Sequence, residues 1–90
     1  MEEIEATVSG RVQLVMYRDF SARMARRLGL TGFVKNNTDG TVSVVAQGAK
    51  EKLIQYIDYL KRGSLLSRVD TVSVSWGNAA RNYSGFVIRY

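Results

Sequence analysis

The hydrophobic pattern alternates between the period of a strand and the period of a helix along these 90 residues. The order of the changes leaves few folds open. Ile4, Ala6, Val8, Gly10 and Val12 alternate with Glu5, Thr7, Ser9 and Arg11, which predicts a half-buried strand. The alternation fails over Val12–Tyr17, read as a loop or strand end leading into a helix. From Arg18 to Leu28 the spacing becomes helical: Phe20, Met24 and Leu28 form one face, Asp19 falls in the first turn, and Gly29 supplies a stop. Thr31–Asn36 reads as a second strand, and Asn37-Thr38-Asp39-Gly40 as a tight turn. Val42, Val44 and Ala46 alternate in a third strand. Ala49–Lys61 is a second helix with the stripe Leu53, Ile54, Ile57 and Leu60, ended by Gly63. Val72, Val74 and Trp76 mark a fourth strand, Gly77–Gly85 a loop, and Phe86–Tyr90 a short final strand.

That order is β-α-β-β-α-β with a terminal strand. It predicts an α+β, ferredoxin-like sandwich: one antiparallel sheet, two helices on one of its faces and a short fifth strand at the C-terminal end. The length suits one domain over residues 1–90. Such a fold hosts many functions, so activity must be argued from particular residues.

Composition excludes more than it suggests. There is no Cys and no His, which removes disulfides, thiolate nucleophiles, zinc–thiolate sites, phosphohistidine and the usual general base. Any catalysis must rest on positioning and electrostatics, or on Asp, Glu, Lys or Tyr. The formal charge of +5 favours anionic partners. No apolar run is long enough to span a membrane, and Met1-Glu2-Glu3 lacks the apolar core of a leader. The expected location is the cytoplasm, with no membrane partner.

Two residues stand where chemistry is possible. Arg18 opens a helix after a strand and a short loop. Backbone N–H groups at a helix N-terminus are unpaired and partly positive, a ready anion site, and a guanidinium fork matches phosphate oxygens. On the residues alone, Arg18 also reads as a solvated helix start. Asn36 ends a strand before a turn, where asparagine commonly serves the turn itself.

The wider pattern decides between these readings. Gly10-Arg11-Val12-Gln13-Leu14-Val15-Met16-Tyr17-Arg18 resembles the acylphosphatase signature G-x-V-Q-G-V-x-F-R, and Leu28-Gly29-Leu30-Thr31-Gly32-Phe33-Val34-Lys35-Asn36 is similar to the second block, L-G-L-x-G-W-V-x-N. Asp39-Gly40-Thr41-Val42 continues it, and Tyr83–Tyr90 is similar to the family's final strand. The resemblance implies hydrolysis of the carboxyl–phosphate bond of small acyl phosphates to carboxylate and inorganic phosphate, without metal or organic cofactor. It implies that Arg18 grips the phosphate, that the backbone amides of Gln13, Leu14, Val15, Met16 and Tyr17 cradle its oxygens, and that Asn36 orients the attacking water. A small anion in the loop is the expected partner, with the protein a monomer. The chemistry suits the composition, because a good leaving group makes positioning and charge stabilisation sufficient.

Leu14 departs from the family's loop glycine, Tyr17 from its Phe, Phe33 from its Trp, and Ser64 from a frequent Pro. Leu14 in a left-handed conformation would cost about 1–2 kcal/mol. The alternative it leaves open is a weakly active or inactive module that binds an anion or a partner. An RNA-binding sheet is the other competitor, since such domains share the element order. They stack bases on aromatics of the central strands, whereas the outward positions here are Glu5, Thr7, Ser9, Ser43, Val45 and Gln47, so no nucleic acid is expected. Arg23, Arg26 and Arg27 read as a solvated helix face, Tyr56 and Tyr59 as helix-edge residues, and Trp76 as core.

Overall fold

The computed structural model describes residues 1–13 and 16–90. Strand β1 (Glu2–Arg11) leads to helix α1 (Tyr17–Arg27), strands β2 (Thr31–Asn36) and β3 (Val42–Gly48), helix α2 (Lys50–Arg62), and strands β4 (Arg68–Asn78) and β5 (Phe86–Arg89). The sheet order is β4-β1-β3-β2-β5. The α+β ferredoxin-like arrangement is therefore as expected, with one correction to the sheet. The β1–β3, β1–β4 and β2–β3 pairs are antiparallel, but β5 lies parallel to β2, so the sheet is mixed. The 79–85 segment carries the chain back before β5 begins, and so β5 enters in the same direction as β2.

Alternation produces the core. Ile4, Ala6 and Val8 of β1 and Val42, Val44 and Ala46 of β3 are buried on one face, together with Val34 of β2. Both helices close over that face. Fully burying one such aliphatic side chain stabilises the fold by roughly 1.5–3 kcal/mol, so this shared layer holds the sheet and helices together.

The helices bury different stripes from those the spacing suggests. In α1 the buried residues are Tyr17, Ser21, Ala22, Met24 and Ala25, with Phe20 and Leu28 only partly covered. Small residues at 21, 22 and 25 let the helix approach the sheet closely, which turns the face away from Phe20. In α2 the stripe is Leu53, Tyr56 and Leu60. Ile54 is exposed, and Tyr56 sits fully buried rather than at the helix edge. Tyr56 lies at i+3 from Leu53 and at i−4 from Leu60, on the same side of the helix, whereas Ile54 is about 100° away. Gly29 and Gly63 do follow the helix ends, both at positive φ.

Two further corrections concern the sheet. Trp76 is not core: it is 43% exposed near the end of β4, an edge strand whose valines are themselves only half-buried. Its alternation with Val72 and Val74 is right for the face but not for the coverage. Gln47 points away from the helices yet is buried. Its amide group bonds Glu3, Thr31, the Arg81 carbonyl and the Tyr83 N–H, which pins the 79–85 segment over that face.

Candidate active site

Strand register brings the two singled-out residues together. Val8 of β1 pairs with Val42 of β3, and Val42 pairs with Asn36 of β2. The end of β1, the start of β3 and the end of β2 thus lie level with one another. Asn36 is two residues after buried Val34, so its side chain falls on the helix side of the sheet, where the chain from β1 enters α1. On the other side, β5 pairs Lys35 with Arg89, and so Asn36 and Tyr90 follow as the next residues on each strand.

A cleft of about 250 Å³ opens at this junction, and Arg18 and Asn36 both line it. Met16, Tyr17 and Asp19 border it from the start of α1, Val12 from the end of β1, and Ile88 and Tyr90 from the β5 end. The first intrahelical bond of α1 runs from the Phe20 N–H to the Met16 carbonyl at 3.1 Å, and no side chain caps the helix. Its first-turn N–H groups therefore have no helical acceptor and bring partial positive charge to the cleft. Asn36 Oδ1 is buried with no hydrogen-bond partner among the described residues. A buried unpaired acceptor costs on the order of 1–3 kcal/mol, a cost that a water molecule or ligand donor in the cleft would remove.

Arg18 is half-buried. Its guanidinium lies 4.7 Å from the Tyr90 ring centroid, and its Nη1 is 3.5 Å from the Arg89 carbonyl oxygen. That oxygen is at the limit of hydrogen bonding, so the fork is steered by the ring and keeps its donors available for an anion. β5 is held in turn by its neighbours. Arg26 Nε donates to the Phe86 carbonyl at 3.0 Å, and the Arg89 guanidinium stacks 3.9 Å above Phe33. Arg23, Arg26 and Arg27 are all exposed, as expected for a solvated helix face, and Arg26 adds to that its bond to β5.

Of the five loop residues expected to cradle an anion, Leu14 and Val15 lie outside the described residues. Met16 is exposed and adopts a left-handed conformation, φ 61°, as the residue that starts α1. The left-handed non-glycine among the described residues is Met16. A methionine there costs about 1–2 kcal/mol, and nothing in its side-chain type announces the conformation. Tyr17 is buried, its hydroxyl donating to the Leu60 carbonyl at 2.7 Å. That carbonyl is in the last turn of α2 and has no helical partner, so Tyr17 fastens the start of α1 to the end of α2. Burial pushes the Tyr17 hydroxyl well above the usual tyrosine range, only partly opposed by Ser21.

Gln13 was singled out for its backbone, yet its side chain is the visible feature. Nε2 donates to the carbonyls of Asn37 and Thr41, each at 2.9 Å. The turn that follows Asn36 is otherwise self-contained. Asn37 Nδ2 donates to the Thr41 and Ser43 hydroxyls at 2.9 and 2.7 Å, and Asp39 accepts from the Thr41 N–H and hydroxyl. Those two bonds hold the exposed Asp39 carboxyl below its ordinary range. Among the described residues, no three His, Cys, Asp or Glu side chains are grouped as metal ligands would be. No described helix is long and apolar enough to cross a membrane.

Comparison with known proteins matches this arrangement. The acylphosphatase family model fits residues 4–88. The acylphosphatase of Thermus thermophilus is 48% identical over 80 residues, covering 89% of this chain and 91% of its own. That of Salinibacter ruber is 41% identical over 88 residues, covering 98% and 93%. The crystal structure of the Bacillus subtilis acylphosphatase superposes with a TM-score of 0.97 at 34% identity, covering both chains entirely. The matched blocks, the fold and these relatives agree: the chain belongs to the acylphosphatase family, hydrolases that cleave the carboxyl–phosphate bond of acyl phosphates.

Proposed function

We propose that the cleft between α1 and the end of β2 is the active site, in which Arg18 holds the substrate phosphate and Asn36 holds the attacking water. The observation that carries this is the unpaired, buried Asn36 Oδ1 in one cleft with the Arg18 fork and an uncapped helix N-terminus. The phosphate oxygens accept from Arg18 and from backbone N–H groups of Gln13, Leu14, Val15, Met16 and Tyr17. These donors balance the charge that develops as the phosphoryl group leaves the carboxylate. Water donates to Asn36 Oδ1, which aims its lone pair at phosphorus opposite the leaving oxygen. The O–P bond to water forms as the bond to the carboxylate breaks, and a phosphate oxygen takes the water's proton. The leaving carboxylate is stable without protonation, so the absence of histidine and cysteine is no obstacle. The donors all come from one chain, and a monomer suffices; no metal or organic cofactor enters the step.

The test is hydrolysis of an aryl acyl phosphate by the purified protein with chelator present. Turnover should survive chelation. Removing one positioned donor such as Arg18 typically costs about 10²–10³ in kcat, and a misplaced water costs on the order of a hundredfold, so a loss of at least about a hundredfold is expected for both Arg18→Ala and Asn36→Ala. Arg18→Ala should also raise the inhibition constant for inorganic phosphate, whereas Asn36→Ala should leave it nearly unchanged. Full activity in either variant would remove that residue from the mechanism. Turnover abolished by chelation would overturn the metal-free step. A wild type without turnover that gains it in Leu14→Gly would favour a binding module over an enzyme.

A further inference from the structure

We propose that the Gln13 side chain is the positioning residue that sets Asn36 against the bound phosphate, an inference that rests on the roles just given to Asn36 and the loop. A primary amide has two donor hydrogens, and the two carbonyls that Nε2 reaches, Asn37 and Thr41, are the neck of the β2–β3 turn. Asn37 directly follows Asn36. The neck does not need Gln13 to close, because the Asn37 N–H already donates to the Thr41 carbonyl at 2.8 Å and the Gly40 N–H to the Asn37 carbonyl at 3.3 Å. What the two Gln13 bonds add is a link between segments distant in sequence. One end is in the chain entering the phosphate loop, and the other is beside the residue that holds water.

The geometry makes this link stiff. Two bonds from one planar amide fix orientation as well as distance, and both acceptors are already constrained by the turn. Asn37 is held further through its own amide to Thr41 and Ser43. A shift at Gln13 is therefore passed to Asn36 with little slack. In-line attack is sensitive to such shifts: a misplacement of about 1 Å can cost on the order of a hundredfold in rate. Gln13 does not need to touch substrate through its side chain to act in this way.

Gln13→Met keeps length and approximate volume but removes both donors. The expected result is a kcat lower by roughly ten- to a hundredfold, with the inhibition constant for inorganic phosphate changed by less than about threefold. Introduced into Asn36→Ala, the same substitution should add less than about a threefold loss, because residues acting as a unit are not additive. Unchanged kcat, phosphate affinity lost in proportion to kcat, or an equal loss in the Asn36→Ala background would each overturn the inference. Gln13→Asn, one methylene short, is expected to reproduce the pattern if Gln13→Met does not fold. In the unaltered protein the Gln13 side-chain amide protons should exchange slowly by NMR, and exchange at the rate of a free amide would also overturn it. A wild type that hydrolyses acyl phosphates but fails these tests removes only the role of Gln13; a wild type without turnover removes the hydrolytic reading as well.

Discussion

Tyr17 and Tyr56 show how differently two buried hydroxyls can contribute. The Tyr17 hydroxyl satisfies an otherwise orphaned helix carbonyl, Leu60, whereas the Tyr56 hydroxyl is buried with no partner among the described residues. Tyr17→Phe leaves the Leu60 carbonyl unpaired and is expected to cost about 1–2 kcal/mol. Tyr56→Phe removes an unpaired buried group without changing the ring's packing against Phe86, and is expected to be neutral or stabilising by up to about 1 kcal/mol. Urea denaturation of the two variants checks the contrast; equal losses would mean that Tyr56 has a hydrogen bond of its own. Residues differ in how far they can be read in advance. That Arg18 and Asn36 line one cleft was legible because each sits at a fixed place in a motif, one at the start of a helix and one at the end of a strand. The side-chain bonds of Gln13 were not, because a side chain that reaches across 24 and 28 residues leaves no local signal. Tyr56 was misread because it lies on the Leu53 and Leu60 side of α2, where its ring packs against Phe86 of a strand 30 residues on.

At the scale of elements, the sheet depends on backbone positions that only glycine fills. Gly32 in β2 has φ 140°, and a Cβ there would be driven into the Val45 carbonyl oxygen of β3. The neighbouring atom is backbone and cannot swing aside. Gly32→Ala is therefore expected to lose about 3 kcal/mol or more, from strain and clash together. For a domain of this size that is a fall in melting temperature of at least about 12 °C, measurable by circular dichroism. Because β2 carries Asn36 at its end, activity should fall further than the folded fraction alone explains. A variant within a few degrees of wild type would mean that β2 and β3 can part without cost. The order of elements was legible because period changes are properties of neighbouring residues. The direction of β5 was not: four residues of strand carry no mark of orientation, and the parallel pairing with β2 follows from where the 79–85 segment is pinned by Gln47.

For the molecule as a whole, the two buried tyrosines make stability depend on alkaline pH. Burial raises the ionisation of both above the ordinary value of 10.0, and for Tyr56 the proximity of Tyr17 adds to it. In the unfolded chain both ionise near that ordinary value. A group whose folded pKa is raised contributes stability that is complete below its unfolded pKa and is lost as pH climbs beyond it. Through neutral pH these groups should leave stability flat. Above about pH 10 the unfolded chain releases two protons that the folded one keeps, so unfolding free energy should fall by up to about 2.8 kcal/mol per pH unit. Tyr56→Phe removes one of the two and should halve that slope. Tyrosinate absorbance supplies the second readout. Tyr17 and Tyr56 should stay silent in the folded protein above pH 10 and appear together with the loss of circular dichroism. Titration of these two before unfolding would mean that water reaches both hydroxyls, and with that of Tyr17 the seam that fastens the start of α1 to the end of α2.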